Sequence, residues 1–233
     1  MNLARTKDEW LAARQKLLAR EKELTRQRDA VSAERRALPW LRVERPYRFD
    51  TPDGQKTLAD LFDGRSQLAM YHFMFAPEWD AGCKSCSFWA ESFDHLPTHL
   101  AHRDVTFVAV SRAPLQKLQK YAGRFGWTFP WVSSAPSEFN FDFGVSFRPE
   151  DLKSGKAIYN YEPLQEGETD REGVSVFAKD ASGAVFHTYS TYARGIDPLN
   201  AAYQYLDLVP RGRDEDALDH PMAWLRRRDE YDR

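Results

Sequence analysis

A chain of 233 residues, 42% apolar and 14% aromatic, is long enough for one sizeable core with appended elements. Its 33 Lys and Arg against 35 Asp and Glu leave a formal charge of −2, with no cationic excess for phosphates or anionic lipid, which argues against nucleic acid and membrane surfaces as partners. The opening Met1 to Glu9 holds no apolar run of signal-peptide type and the most apolar stretch, Leu68 to Pro77, is too short to span a bilayer, so a cytosolic protein is expected.

Thr6-Lys7-Asp8-Glu9 has capping-box spacing, and no proline or glycine follows until Pro39, which predicts one long helix in an N-terminal arm, residues 1–38. Leu3, Trp10, Leu17, Leu24, Val31 and Leu38 recur every seven residues, but the positions four beyond include Arg14, Glu21, Arg28 and Arg35. That is half of a coiled-coil seam, since a stable one needs apolar residues at both a and d. The arm is read either as laid on its own domain or as a docking element through which two copies pair.

Residues 39–210 carry the expected main domain. Short strands and turns fill its start, with Thr51-Pro52-Asp53-Gly54 as a hairpin turn. Gln67 to Phe75 suits a buried central strand, and helix-compatible sequence runs from Lys84 to about Ala101. Val105 to Ser111 reads as a second buried strand, and Pro114 to Phe125 as a helix that stops before Gly126. Phe139 to Phe147 is expected to cover a sheet face, and Leu152 to Glu172 to form a polar excursion. Val174 to Lys179 and Ala184 to Tyr189 flank a hairpin turn, and Asp197-Pro198 is read as the cap of a last helix through Leu206. A β-α-β-α order followed by a hairpin and a helix predicts an α/β, thioredoxin-like three-layer sandwich around a mixed central sheet. Residues 211–233 form a charged C-terminal extension, in which Trp224 and Leu225 suggest folding back onto the body.

The only two cysteines, Cys83 and Cys86, stand three apart just after the first buried strand. On a first helical turn that spacing puts the Cα atoms roughly 5.5 Å apart, within disulfide range. Two cysteines are too few for a disulfide scaffold, so the pair points to redox chemistry or metal binding. Cys83 is expected to be the attacking thiolate and Cys86 the more buried resolving thiol. Positive potential for the thiolate is sought from the helix amide end, from Lys84, and from Arg112, which parallel strands would place on the same sheet edge. Trp79 is expected to border the pair.

Cys83, Cys86, His95 and His99 also make a string of zinc-finger type, but on one continuous helix Cys86 and His95 would lie about 13 Å apart along the axis. Zinc is therefore the third choice, and no cofactor is assigned. The polar exit from the last strand, His187 to Gly195, is a further candidate binding segment led by Tyr192 and Arg194.

The strings GCKSCSFWAESFD (Gly82 to Asp94), HLAHRDVTFVAVSRAPLQKL (His99 to Leu118), GWTFPWVSS (Gly126 to Ser134), FNFDFGVSF (Phe139 to Phe147) and VFHTYSTYARGIDPL (Val185 to Leu199) closely resemble the domain-of-unknown-function 899 family, over most of the chain. The resemblance implies a thioredoxin-like fold and leaves the substrate open. Thioredoxins carry a cis-proline before the strand that faces the cysteine pair; Gly173 to Phe177 has none, and Ser175 is read at that place. The stretch from Tyr47 through Cys83 is also similar to peroxiredoxins, but Ala76 and Asp80 stand where those have proline and threonine or serine, so peroxide reduction is not implied. Two functions are expected: a thiol-disulfide oxidoreductase acting on a protein or small-molecule substrate, or a non-catalytic interaction or redox-sensing module.

Overall fold

In the computed structural model, which describes residues 3–164, 167 and 169–232, Thr6 caps helix α1 (Lys7–Arg36) by accepting from the Glu9 amide. The Glu9 carboxylate returns the bond one residue earlier, to the Arg5 amide, at 2.7 Å. Acidic Asp8 and Glu9 at the start and basic Arg35 and Arg36 at the end suit the helix dipole, and none of its residues is buried. The described residues up to Pro39 form one compact unit and those from Trp40 onward another.

The second unit is built on one eight-stranded mixed sheet. Its strands are β1 (Leu41–Arg42), β2 (Arg48–Thr51), β3 (Gly54–Thr57), β4 (Gln67–His72), β5 (Val105–Ser111), β6 (Trp131–Ser133), β9 (Gly173–Lys179) and β10 (Val185–Tyr192), and β7 (Ile158–Tyr159) pairs with β8 (Glu162–Pro163) as a separate ribbon. The order is β1-β10-β9-β4-β5-β6-β2-β3, with β4, β5 and β6 parallel and β9 antiparallel to β4. That is the thioredoxin-like arrangement anticipated from the element order. Helices α2 (Lys84–Ala90), α3 (Leu96–Ala101) and α4 (Leu115–Phe125) belong to the α/β crossovers, α5 (Phe139–Asp142) and α6 (Pro149–Lys153) precede the ribbon, and α7 (Ala201–Leu206) follows β10. Among the described residues no helix is long and apolar enough to cross a membrane.

Period-two alternation sorts the strands into two cores. Tyr71, Phe73, Phe107 and Ala109 point to one face, with Trp89, Phe93, Leu118, Tyr121 and Cys86. Leu68, Met70, Val108, Val110 and Phe177 point to the other, beneath Phe139 and Phe143, so the aromatic segment covers a sheet face as anticipated. Leu225, from the charged extension, is completely buried within this same unit, and Trp224 packs on the first core. Of the polar excursion, residues 165, 166 and 168 lie outside the described ones.

Two expectations are corrected. The helix read from Lys84 to about Ala101 is two helices, because the chain leaves α2 after Ala90 and passes through a left-handed His95 (φ 67°) before α3 starts with Leu96 and Pro97. Burial of Phe93 against Tyr71 and Phe107, together with Asp94 accepting from the Thr128 amide and hydroxyl, outweighs helix continuation. The last helix is capped by Asn200, which accepts from the Tyr203 amide, rather than by Asp197, whose carboxylate is held by Arg194 and Arg213.

Candidate active site

Strand β4 ends at His72, and the extended residues beyond it lead to the cysteines. Met74 brackets the pair: its carbonyl accepts from the Cys83 amide at 3.0 Å, and its own amide donates to the Cys86 sulfur at 3.4 Å. Cys83 is the N-cap of α2 and partly exposed, whereas Cys86 lies one turn in and is buried. The two stand 4.1 Å apart as free thiols.

The environment splits them. The Cys83 thiol is lowered to about 7 by the Cys86 thiol that donates to it and by the backbone N–H groups of Cys86 and Ser85, against the opposing effects of burial and the Glu172 charge. Burial, with the Cys83 hydrogen bond next, pushes Cys86 up. A helix N-terminus and a neighbouring thiol thus do what the sequence reading sought partly from side-chain cations.

Of those cations, Arg112 does reach the same sheet edge, but its guanidinium holds Asp170 in a bidentate pair at 2.9 and 2.6 Å. Asp170 is buried and also accepts from Ser146. Lys84 lies between the two cysteines, half-buried, and is not among the groups that lower Cys83. Trp79 packs on the same core as Cys83, in a loop whose Pro77 and Trp79 carbonyls accept from Lys117.

Tyr192 and Arg194 stand apart from the thiols. Tyr192 pairs with Gly173, and its alternation puts it on the opposite sheet face, where its hydroxyl donates to the Phe143 carbonyl. Arg194 is 86% exposed and pairs only weakly, with Asp197 at 3.2 Å. The polar segment organises a different structure: His72, Ser175, Ser190 and His187 are linked in that order at 2.9, 2.8 and 2.7 Å beneath Phe139 and Phe143. Ser175 therefore belongs to mid-strand, opposite Met70 and away from the cysteines, which corrects its reading as the stand-in for a substrate-facing proline.

Four groups escaped the sequence reading. Among the described residues no nitrogen or oxygen partners the buried Tyr71 hydroxyl, and the Cys86 thiol is the group it faces. Tyr71 alternates with Phe73 on the cysteine face, which was legible once the face was known. Glu172 immediately precedes β9, where Gly173 sits opposite His72, and alternation sends its side chain to the thiol face with Val174. Tyr121 and Arg227 secure the approach to Cys83. Arg227 donates to the Tyr121 hydroxyl at 2.7 Å and to the Gly82 carbonyl at 2.8 Å; Tyr121 also donates to Gly82, and Ser87 bonds both Tyr121 and the Cys83 carbonyl. Arg227 lies 144 positions beyond Cys83, so no local motif could have exposed it.

Gly82 has to be a glycine for space. A Cβ there would lie 2.7 Å from Phe73 Cε1 and 3.1 Å from Tyr121 Cε1, both in buried rings. Gly82→Ala is expected to destabilise the fold by about 1–3 kcal/mol, the range for overpacking, and to displace Cys83. Denaturant unfolding checks this; a variant as stable as the parent would mean that the two rings yield without cost.

No group of three or more His, Cys, Asp or Glu side chains suited to a metal ion occurs among the described residues. Cys83, Cys86, His95 and His99 are thus not gathered, although the chain between them does turn at His95.

A family model described as bacterial protein of unknown function, DUF899, matches residues 2–231. No curated protein matches. Among solved structures, peroxiredoxin Q from Xanthomonas campestris is 13% identical, over 69% of this chain and 90% of that one, with a TM-score of 0.46. Peroxidoxin BcpB from Mycobacterium tuberculosis is 15% identical over 72% and 96%, with a TM-score of 0.44. A putative thiol:disulfide interchange protein DsbE from Chlorobium tepidum is 13% identical over 72% and 94%, with a TM-score of 0.41.

Proposed function

Because the chain belongs to the DUF899 family of bacterial proteins of unknown function, we propose its function from its own residues: thiol-disulfide exchange in which Cys83 attacks and Cys86 resolves. The observation that carries this is the split of the two thiols, one lowered to about 7 and part-exposed at a helix N-terminus, the other buried and pushed up beside it. An ordinary thiol near 8.5 is only about 3% ionised at pH 7, whereas one near 7 is about half ionised.

In the reaction the Cys83 thiolate attacks one sulfur of a substrate disulfide, and the other sulfur leaves as a thiol after taking up a proton. Cys86 then attacks Cys83 Sγ, releases the second substrate thiol and closes the Cys83-Cys86 disulfide. An external dithiol returns the two electrons. The substrate is a protein or small-molecule disulfide, and the reading assigns the work to the cytosol, where a reducing pool keeps the pair open between turnovers.

Alkylation of the reduced protein tests the split directly. Cys83 is expected to react at least tenfold faster than Cys86 at pH 7, with a midpoint near 7, as its thiolate fraction dictates. Reduction of a small disulfide by the parent and not by Cys83→Ser completes the test. Equal alkylation rates with both midpoints near 8.5 would sink the assignment.

A second reading, a redox sensor, draws on Arg227. Its bonds to Gly82 and Tyr121 tie the C-terminal segment to the residue preceding Cys83, so closing the disulfide would act on that segment without substrate turnover. Disulfide closure without catalytic reduction of any dithiol-linked substrate would select it.

A further inference from the structure

The resolving step poses a problem of proton placement. While both thiols are free, Cys86 donates its proton toward Cys83, and that bond lowers Cys83. Once Cys83 carries the substrate sulfur in a mixed disulfide, its thiolate charge is gone. Cys86, completely buried, must nevertheless ionise before it can attack.

Among the described residues the groups around Cys86 are few. The Met74 amide donates to its sulfur and steadies a thiolate but takes no proton. The Tyr71 hydroxyl is already protonated, and burial pushes its ionisation well up, so it too acts as a donor. The Lys84 ammonium offers donors and no acceptor. Asp170 is occupied by Arg112 and Ser146, and Glu78 and Asp80 stand on the exposed loop. Glu172 remains. Its backbone is fixed on one side by the β9 pairing that begins at Gly173 and on the other by the Tyr159 hydroxyl, which donates to its carbonyl at 2.9 Å. Alternation turns its side chain to the same face as Val174, which packs on the core that contains both cysteines. Its charge acts on Cys83, Cys86 and Tyr71 alike.

We propose that the Glu172 carboxylate accepts the Cys86 proton as that thiol resolves the mixed disulfide, an inference that rests on the exchange reading above. The proton moves from Cys86 Sγ to a Glu172 carboxylate oxygen. The Cys86 thiolate, held by the Met74 amide, forms the new bond to Cys83 Sγ as the bond from Cys83 Sγ to the substrate sulfur breaks. The departing substrate thiolate takes the proton back from Glu172. One disulfide and two protein thiols become one protein disulfide and two substrate thiols, with Glu172 unchanged. Being only half-buried, the carboxylate re-equilibrates with solvent between turnovers.

The two steps should respond to Glu172→Gln in opposite directions. The probe is dipyridyl disulfide on the reduced full-length chain, whose first released thione reports attack by Cys83 and whose second reports resolution by Cys86. Loss of the carboxylate removes a charge that opposes the Cys83 thiolate, so the first release at pH 6 should rise about threefold. The second should fall about a hundredfold at pH 7, the usual scale for a lost proton acceptor, and should become steeply dependent on hydroxide. Glu172→Asp keeps the carboxylate and should recover most of the second rate. A merely structural loss slows both steps together, and that result, or an unchanged second release in Glu172→Gln, overturns the proposal. A parent protein that gives the first release and no second defeats the resolving role of Cys86 and this proposal with it; a parent that gives both, alongside an indifferent Glu172→Gln, defeats only the role of Glu172.

Discussion

Acidification is expected to strip this fold of about 5 kcal/mol through His72 alone, as the pH falls from 6.5 to about 3. His72 is fully buried at the end of β4, 5.6 Å from the Phe139 ring with a stacked geometry, and its Nε2 is bonded to Ser175. Burial first, and the neighbouring His187 second, hold its pKa down at about 3. The folded pKa is therefore depressed relative to the unfolded 6.5, so a proton binds the unfolded chain and not the native one between those limits. Stability from this source is whole above 6.5 and declines by about 1.4 kcal/mol per pH unit below it, levelling off near 3. His187, also lowered mainly by burial, adds in the same direction. Urea unfolding of the parent and of His72→Gln at pH 7 and pH 4.5 separates this proton from those of the carboxylates, which both proteins share. The parent should lose about 3 kcal/mol more than the variant across that interval. Parallel losses would show that His72 takes its proton while still folded.

Leu225→Ala is expected to cost about 2–5 kcal/mol, as large as a substitution in the central sheet, although the residue lies in the charged C-terminal extension. Leu225 has no exposed surface at all. Around it Arg228 reaches Glu91 and the Phe125 carbonyl, Arg124 pairs with Asp229 and Glu230, and Arg227 grips Gly82. Exposed pairs of this kind each contribute little, so the apolar anchor is what keeps the segment down. For a chain of this size the loss corresponds to a melting point lower by roughly 5–15 °C. Because Arg227 is two residues beyond the anchor, Cys83 alkylation should also lose its midpoint near 7 as the melting point is approached. A variant that melts with the parent would mean the segment is held by its ion pairs instead.

The parts of this structure that were legible in sequence are those governed by local pattern. Capping at Thr6, the buried runs at Leu68 and Val105, the Gly126 stop and the Asp180 to Gly183 turn each depend on residues within a few positions of one another. The cysteine spacing belongs to that class as well. What the sequence hid depends on pairing. Nothing near Tyr192 or His187 says that a hairpin's register will send them to the face opposite Cys83, since a shift of one residue would have reversed it. The break at His95 is decided by where Phe93 and Asp94 are bonded, more than 10 residues away in each case. Glu172 and Arg227 reach the site across the whole fold, and their neighbours in sequence gave no hint of it.

The line of bonds from His72 through Ser175 and Ser190 to His187 has a sense of direction. Three bonds need three protons and the two serines own one each, so at least one imidazole must give from Nε2. His72 Nδ1 is buried with no partner among the described residues, and a bare lone pair is easier to leave there than an unmatched N–H. His72 is therefore the Nε2–H tautomer and gives that proton toward Ser175, while His187 also engages the backbone of Tyr189. One proton on the β4 ring thus anchors a line of bonds that runs through β9 to the ring on β10.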